Sequence, residues 1–301
     1  MPRVLITGAQ GFLGSQIALV LQAAGWEVVA GTRSVPETPL PIEHQVIDYA
    51  DPFGAFTGID AVIHAAIAND FNRLQADRRY AYDSYVGMTT RLLHAAGERP
   101  FIFVSSDWTM DGTGHMVPED EPPNPVNFYG LLKALGEVLV LDHGKTVARV
   151  GGVMGQHGWA ASSPRSQDVG FGYFTTSLIE SLQNGRRFDV WTGEGVNEIA
   201  TPSLGSHIGR GMQAILDRDA RGVYHLVAST PIERLELARL TAEVFGLEQS
   251  LVGTCPVPES GKFPAPVPRD TSLSSVATCN ALGLAPQSVR ELLEELRGNW
   301  R

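Results

Sequence analysis

Tyr129 and Lys133 stand four residues apart in Tyr129-Gly130-Leu131-Leu132-Lys133, and an apolar run ending in Ser105 and Ser106 precedes them. On a helix, residues four apart share a face, so this spacing aims a phenol and an ammonium at one cleft. A nearby cation favours the phenolate and lowers a tyrosine pKa. Tyr129 is then a general acid or base for a carbonyl/alcohol couple, with Lys133 also in reach of a nicotinamide ribose. Ser106 is expected to donate to the substrate oxygen. The Tyr-x-x-x-Lys pair is common by chance on helices, so its weight comes from a second pattern. Val4-Leu5-Ile6-Thr7-Gly8-Ala9-Gln10-Gly11-Phe12-Leu13-Gly14 is an apolar strand running into G-x-x-G-x-x-G and then a helix. Glycines there let the chain turn tightly, admit a pyrophosphate to the backbone and let helix pack on strand, with the phosphates on the helix N-terminus. Gly8, Gln10, Gly11, Phe12, Leu13 and Gly14 are the expected cofactor contacts. A glycine turn that binds nothing is the plain alternative.

Groups placed this way need a sheet behind them. The first helix ends near Gly25; Glu27 to Thr32 reads as a second strand, His44 to Ile47 as a third and Asp60 to His64 as a fourth. Phe101 to Ser105 and Thr146 to Val150 are further strands, with helices expected from Phe71 to Ala96 and from Tyr129 to Asp142. Such alternation predicts an α/β fold, a doubly wound parallel sheet of the Rossmann type, over residues 1–150. Beyond Gly151 the rhythm changes. A smaller C-terminal α/β substrate-binding region is expected over 151–301, with a helix around Phe174 to Gln183, a proline-rich run from Pro256 to Pro268, and a segment near 222–228 returning to the main sheet. Open sheets bind ligands beyond the carboxyl ends of their strands. Ser106, Asp107 and Trp108 follow one such strand and Gly152 and Val153 another, so these line the expected substrate site.

The choice of cofactor turns on the end of the second strand. An NAD site usually places a carboxylate there for the ribose hydroxyls; this chain has Gly31-Thr32-Arg33-Ser34. A guanidinium with two hydroxyls suits a 2′-phosphate, so NADP(H) is expected over NAD(H), an exposed strand-end arginine being the alternative. Asp48 falls near the adenine edge or is a turn residue, and Ala65 follows the fourth strand as a further cofactor contact. The 301 residues suffice for a large core. With 23 basic and 33 acidic residues, net −10 and no Lys/Arg cluster, a nucleic-acid or anionic-membrane surface is not expected. Cys255 and Cys279 make neither a metal-ligand spacing nor a disulfide framework, and the scattered histidines make no metal site. A cytoplasmic location is expected, since no secretory segment or membrane-length apolar run is present in the sequence.

At these residues the chain resembles the extended short-chain dehydrogenase/reductase family, and within it the dTDP-4-dehydrorhamnose reductase branch. Thr7, Gly8, Gly11 and Gly14 meet the T-G-x-x-G-x-x-G pattern, and the catalytic Ser/Thr, Tyr and Lys fall on Ser106, Tyr129 and Lys133. The branch's Ser-Thr-Asp followed by Asp-Gly is similar to Ser105-Ser106-Asp107 with Asp111-Gly112. Pro125-Val126-Asn127-Phe128-Tyr129-Gly130, Lys133 and Gly136-Glu137 match its next motif, and Ala200-Thr201-Pro202-Ser203 and Gly222-Val223-Tyr224-His225-Leu226 resemble its second half. The resemblance implies a reductase that transfers a hydride from NADPH to a 4-keto-6-deoxy sugar nucleotide, with Asp107 bonding the sugar or assisting proton supply. It also implies a homodimer built on the helices near Tyr82 to Leu93 and Tyr129 to Leu141. The alternatives are an epimerase or dehydratase that retains NAD, and a non-catalytic NADP-binding subunit. The chain departs from the family at Ser84, where many members have asparagine, at Leu132, in Arg269-Asp270-Thr271-Ser272-Leu273-Ser274, and in a longer stretch from Gln156 to Gly170. A sugar-nucleotide diphosphate would draw on Arg165, Arg186, Arg187 or Arg269.

Overall fold

In a computed structural model, which describes residues 1–68, 70–159 and 167–301, the glycine-rich turn joins β1 (Arg3–Thr7) to α1 (Phe12–Ala23). The first half continues through β2 (Glu27–Thr32), β3 (Glu43–Val46), β4 (Ala61–His64), α2 (Phe71–Ala76), α3 (Arg78–Tyr82), α4 (Met88–Ala96), β5 (Phe101–Ser106), α5 (Phe128–Asp142) and β6 (Thr146–Val150). All residues of β5 and of β6 are buried, as befits central strands of a parallel sheet covered on both faces. Successive residues feed opposite faces. Ile6, Ile63, Val104 and Ala148 pack with Ile17 of α1 on one side, while Leu5, Val62, Phe103 and Val147 pack with Leu92 of α4 on the other.

The second half adds α6 (Phe174–Gln183), β7 (Phe188–Thr192), β8 (Ile199–Ala200), α7 (Gly205–Asp217), β9 (Gly222–His225), β10 (Ile232–Glu233), α8 (Arg234–Phe245), β11 (Val252–Pro256), α9 (Val276–Leu282) and α10 (Val289–Gly298). The main sheet has seven parallel strands in the order β3-β2-β1-β4-β5-β6-β9, so the segment at Gly222 does return to it, through pairing with β6. Strand order reverses between β1 and β4, which opens a crevice beyond their carboxyl ends. A separate core, including Phe174, Leu178, Val190, Leu237 and Leu293, gathers α6, α8, α10 and the β7–β11 pair. Among the described residues no helix is long and apolar enough to cross a membrane.

The continuous helix expected from Phe71 to Ala96 is instead broken twice. Asp70 accepts from the Arg73 N–H and Asp77 from the Tyr80 N–H, so each carboxylate starts a new short helix. Asp83–Gly87 then forms one wide turn of i→i+5 bonding ahead of α4. Such turns insert an extra residue and re-aim a side chain; here Tyr85 points inward and donates to the Ala68 carbonyl at 2.7 Å. Ser84, at the position of the family asparagine, lies inside that turn.

Candidate active site

Gly8, Gly11 and Gly14 form a backbone cradle that no side chain can share. Gly8 has φ +79°, and a Cβ on it would lie 2.7 Å from the Ala66 nitrogen; on Gly14 it would lie 2.2 Å from the Gly8 carbonyl oxygen. Helix α1 is capped by Gly11 with no side-chain bond, and no acidic residue sits in its first turn. Its leading N–H groups and positive dipole end are therefore left for an anion. Ala65, the residue after β4, packs against Gly8, its carbonyl carbon 2.9 Å from that virtual Cβ. The residues fit a dinucleotide.

One wall of this site was invisible in the sequence. A cleft of about 520 Å³ opens beside the cradle, lined by Gln10, the loop from Ser34 to Leu40, His157 and Trp159. His157 Nε2 donates to the Gln10 carbonyl at 3.0 Å and its Nδ1 accepts from the Trp159 N–H at 3.3 Å, so the two bonds orient the ring. The Gly158 N–H reaches Ser15 Oγ of α1 at 2.8 Å. The stretch read only as a long insertion thus begins by docking on the dinucleotide turn; residues 160–166, with Arg165, lie outside the described residues. Arg33 is exposed just past β2, and Glu37, not singled out in the sequence, places a carboxylate in the same cleft. Asp48 is exposed and closes its own turn by accepting from the Ala50 N–H at 2.8 Å.

Beyond β5, Asn127 caps α5 by accepting from the Gly130 N–H at 2.9 Å, which sets the orientation of Tyr129. Gly130 is needed for the approach itself: a Cβ there would lie 2.2 Å from the Trp108 carbonyl oxygen. The Tyr129 hydroxyl is hydrogen-bonded to Ser106, and its ring meets the edges of Tyr85 and Trp108 at 6.1 and 6.0 Å. Trp108 in turn packs edge-on against Phe263 at 5.4 Å. Val153, after β6, is half-buried against the core under α1 and does not join this cluster.

The expected phenol–ammonium pairing is not what the structure holds. Lys133 is buried and turns to the Val104 carbonyl, 2.8 Å from its Nζ; burial lowers its ammonium to about 7, opposed by the nearby Glu137 carboxylate. Burial pushes Tyr129 up to about 12, opposed by the Ser106 bond; Asp107 and Asp168 add to the rise in their ionised forms. Tyr129 is thus a phenol at neutral pH. Asp107 is buried, with Ser106 Oγ and Thr271 Oγ1 on its two oxygens at 3.1 and 2.6 Å, and burial raises it to about 6. Asp168, Thr271 and Asn197 were missed because they come from loops far along the chain, with no local pattern to mark them.

The cations expected at a diphosphate are dispersed. Arg187 pairs with Asp189 at 2.8 Å beside the β7–β11 pair, and Arg186 is exposed next to it. Arg269 pairs with Glu198 at 2.7 Å, two residues from Thr271. A fourth arginine, Arg234, is buried instead, and donates to the carbonyls of Asp168 and Gly170 at the start of α8.

Topology and site together define the extended short-chain dehydrogenase/reductase fold: a parallel sheet with a glycine cradle after β1, a serine ending β5, and Tyr-x-x-x-Lys on the next helix. The model of the RmlD substrate binding domain matches residues 2–299, and the chain belongs to that family. Among curated proteins it is 25% identical to methionine adenosyltransferase 2 subunit beta of Danio rerio, over 82% of this chain and 75% of that protein. It is 26% identical to the dTDP-4-keto-6-deoxy-D-glucose reductase of Streptomyces niveus, over 84% and 82%. The crystal structure of dTDP-4-dehydrorhamnose reductase from Bacillus anthracis in complex with NADP superposes with a TM-score of 0.80 at 19% identity, over 99% of this chain and 100% of that one.

Proposed function

We propose that this protein is an NADPH-dependent reductase of a carbonyl on a nucleotide-linked 4-keto-6-deoxy sugar. The observation that carries this reading is the half-buried Tyr129 phenol, hydrogen-bonded to Ser106 at the end of β5, two strands from the glycine cradle. Family membership and the named activity of the Streptomyces niveus relative support the substrate class. When bound, the reduced nicotinamide supplies the hydride. Ser106 turns its one hydroxyl proton from Asp107 Oδ1 to the substrate oxygen when substrate binds and holds it, and Tyr129 hands that oxygen its proton as negative charge develops there. Lys133, lowered to about 7 and so partly charged at neutral pH before the step, favours the phenolate through that charge. Trp108 and Phe263 supply an apolar face for the sugar ring, and residues 151–301 supply the far side of the site. Turnover measured with NADPH on a panel of keto-sugar nucleotides and simple ketones tests this. Activity confined to simple ketones overturns the substrate class. Tight cofactor binding without turnover establishes the second reading, a binding subunit, which the likeness to methionine adenosyltransferase 2 subunit beta favours.

Arg33 and Ser34 lie at the mouth of the adenosine-side cleft. NADPH is expected to bind more tightly than NADH, and Arg33→Ala to weaken NADPH alone by about 1.5–3 kcal/mol, roughly ten- to a hundredfold, the loss of one charge-assisted contact. Fluorescence titrations of both cofactors check it; equal affinities in the wild type would point to Glu37 as the charge that governs the cleft.

Helix α5 carries Leu131, Leu135 and Val138 in a stripe of exposed apolar residues, with Tyr82 of α3 exposed as well. We infer a homodimer through this face. Val138→Glu is expected to yield monomers in sedimentation velocity with the far-UV circular dichroism spectrum unchanged, since Val138 is 60% exposed on the single chain. A wild-type monomer at micromolar concentration would count against it.

A further inference from the structure

The carboxyl of Asp107 sits in a buried row of hydroxyls and amides whose protons can be counted. Ser106 Oγ lies 3.1 Å from Oδ1 and Thr271 Oγ1 lies 2.6 Å from Oδ2. Thr271 Oγ1 is also 3.2 Å from Asn197 Oδ1. The orientation of that amide is settled from its other end, because Asn197 Nδ2 faces the carbonyls of Ile199, Pro268 and Arg269 at 3.1, 3.2 and 3.1 Å. Asn197 therefore turns its oxygen to Thr271, and the single hydroxyl proton of Thr271 lies between two acceptors.

With Asp107 ionised, the contacts Tyr129–Ser106, Ser106–Asp107, Asp107–Thr271 and Thr271–Asn197 must share the protons of three hydroxyls, so one pair of oxygens meets bare. With a proton on Oδ2 every contact is filled and all run one way. Tyr129 donates to Ser106 and Ser106 to Oδ1; Oδ2 donates to Thr271 and Thr271 to Asn197. A buried acceptor pair without a proton, and a buried carboxylate, are both costly. The N–H groups of Asp107 and Trp108 favour the ionised form, yet burial outweighs them and the carboxyl is pushed up to about 6. From α5 the titratable group facing Asp107 is Tyr129, itself faced by Asp168; β5 and the Thr271 segment present neutral hydroxyls. Gly151, after β6, presents only backbone, and a Cβ there would lie 2.8 Å from Oδ2.

We propose that on the acid side of neutrality Asp107 works as a protonated carboxylic acid, seated by Thr271 and Asn197, and that in this neutral form it positions the Ser106 hydroxyl beside Tyr129. The proposal rests on the reading of Tyr129 as proton donor. A phenol that must become a phenolate during reduction is opposed by a carboxylate at its neighbour's side, and a neutral Asp107 removes that opposition. Thr271, on the other side of the chain from the reacting atoms, is a positioning residue.

Infrared difference spectra of the full chain, wild type minus Asp107→Asn, between pH 5 and 9 read the proton directly. A protonated carboxyl stretch is expected at low pH, disappearing with a midpoint at or above about 6, against about 3.9 for an ordinary aspartate. Carboxyl-¹³C aspartate labelling gives the same midpoint in the wild type alone. Carboxylate bands only, across the whole range, overturn the proposal whether or not the protein proves to be a reductase. On turnover, kcat is expected to fall as pH rises through that midpoint. Thr271→Val should lower kcat about tenfold with cofactor affinity unchanged, the cost of one hydrogen bond in the transition state, and Thr271→Ser should restore it. A Thr271→Val enzyme with wild-type kcat overturns the positioning role.

Discussion

Tyr129→Phe is expected to keep the affinity for NADPH and to lower kcat by about 10²–10⁴-fold, the usual loss when a general acid is removed. The substitution deletes one oxygen. The ring stays between Tyr85 and Trp108, whose edge-on contacts at 6.1 and 6.0 Å do not involve the hydroxyl. What disappears is the proton on a group held as a phenol, pushed up to about 12, where the substrate oxygen meets Ser106. A high pKa suits reduction, in which the donor must be protonated at the outset, and it opposes alcohol oxidation at neutral pH. On the proposed mechanism Lys133→Ala should instead damage both turnover and cofactor affinity, since that mechanism assigns the lysine to the phenolate and to the nicotinamide ribose. Single-turnover rates and cofactor titrations of both variants separate the two patterns. A Tyr129→Phe enzyme with most of its rate would require another donor, and Asp107, protonated in its buried row, would be the group to remove next.

Much of the frame was legible because it rests on local physics. The runs Glu27–Thr32, Thr146–Val150 and Phe174–Gln183 are elements with the ends expected of them, since their apolar spacing changes period where the chain turns. The glycine trio announced the cradle because Gly8 and Gly14 exclude a side chain for a backbone reason and Gly11 leaves little room for one. The break in the Phe71–Ala96 helix was less visible. Asp70 and Asp77 look like solvated charges in an amphipathic pattern, and only their bonds to Arg73 and Tyr80 reveal them as caps. Within the candidate site, spacing singled out Ser106, Tyr129 and Lys133 but carried nothing of their protonation. Shared helical faces brought the phenol and the ammonium to one side of α5; burial then sent Lys133 to the nearest carbonyl, Val104, and kept Tyr129 a phenol. The partners that decide Asp107 are 164 and 90 residues away, at Thr271 and Asn197, and no local pattern can point to them.

Glu137→Leu is expected to destabilise the fold by about 3–5 kcal/mol, because it leaves a charge uncompensated in the core. Glu137 and Arg149 are 1% and 2% exposed, and their pairing is two-pronged, with Nη2 at 2.8 Å and Nε at 3.1 and 3.2 Å. Ser105 donates to the same carboxylate from β5. On the far side Arg149 Nη1 meets His225 Nε2 at 3.2 Å, while His225 Nδ1 must donate to the Ser274 carbonyl at 2.8 Å. His225 is therefore neutral, and burial with the neighbouring guanidinium holds it down to about 3. This row ties α5 to β5, β6 and β9, and through Ser274 to the segment that carries Thr271. Losing Glu137 strands Arg149, whereas Glu137→Leu with Arg149→Met removes both charges and should recover most of the loss. Urea midpoints of the two variants measure the difference. The same carboxylate, one helical turn from Lys133, helps that ammonium keep its proton. A folded Glu137→Leu protein should therefore lose turnover toward alkaline pH sooner than the wild type. If its pH profile were unchanged, Glu137 would hold the frame without tuning the lysine.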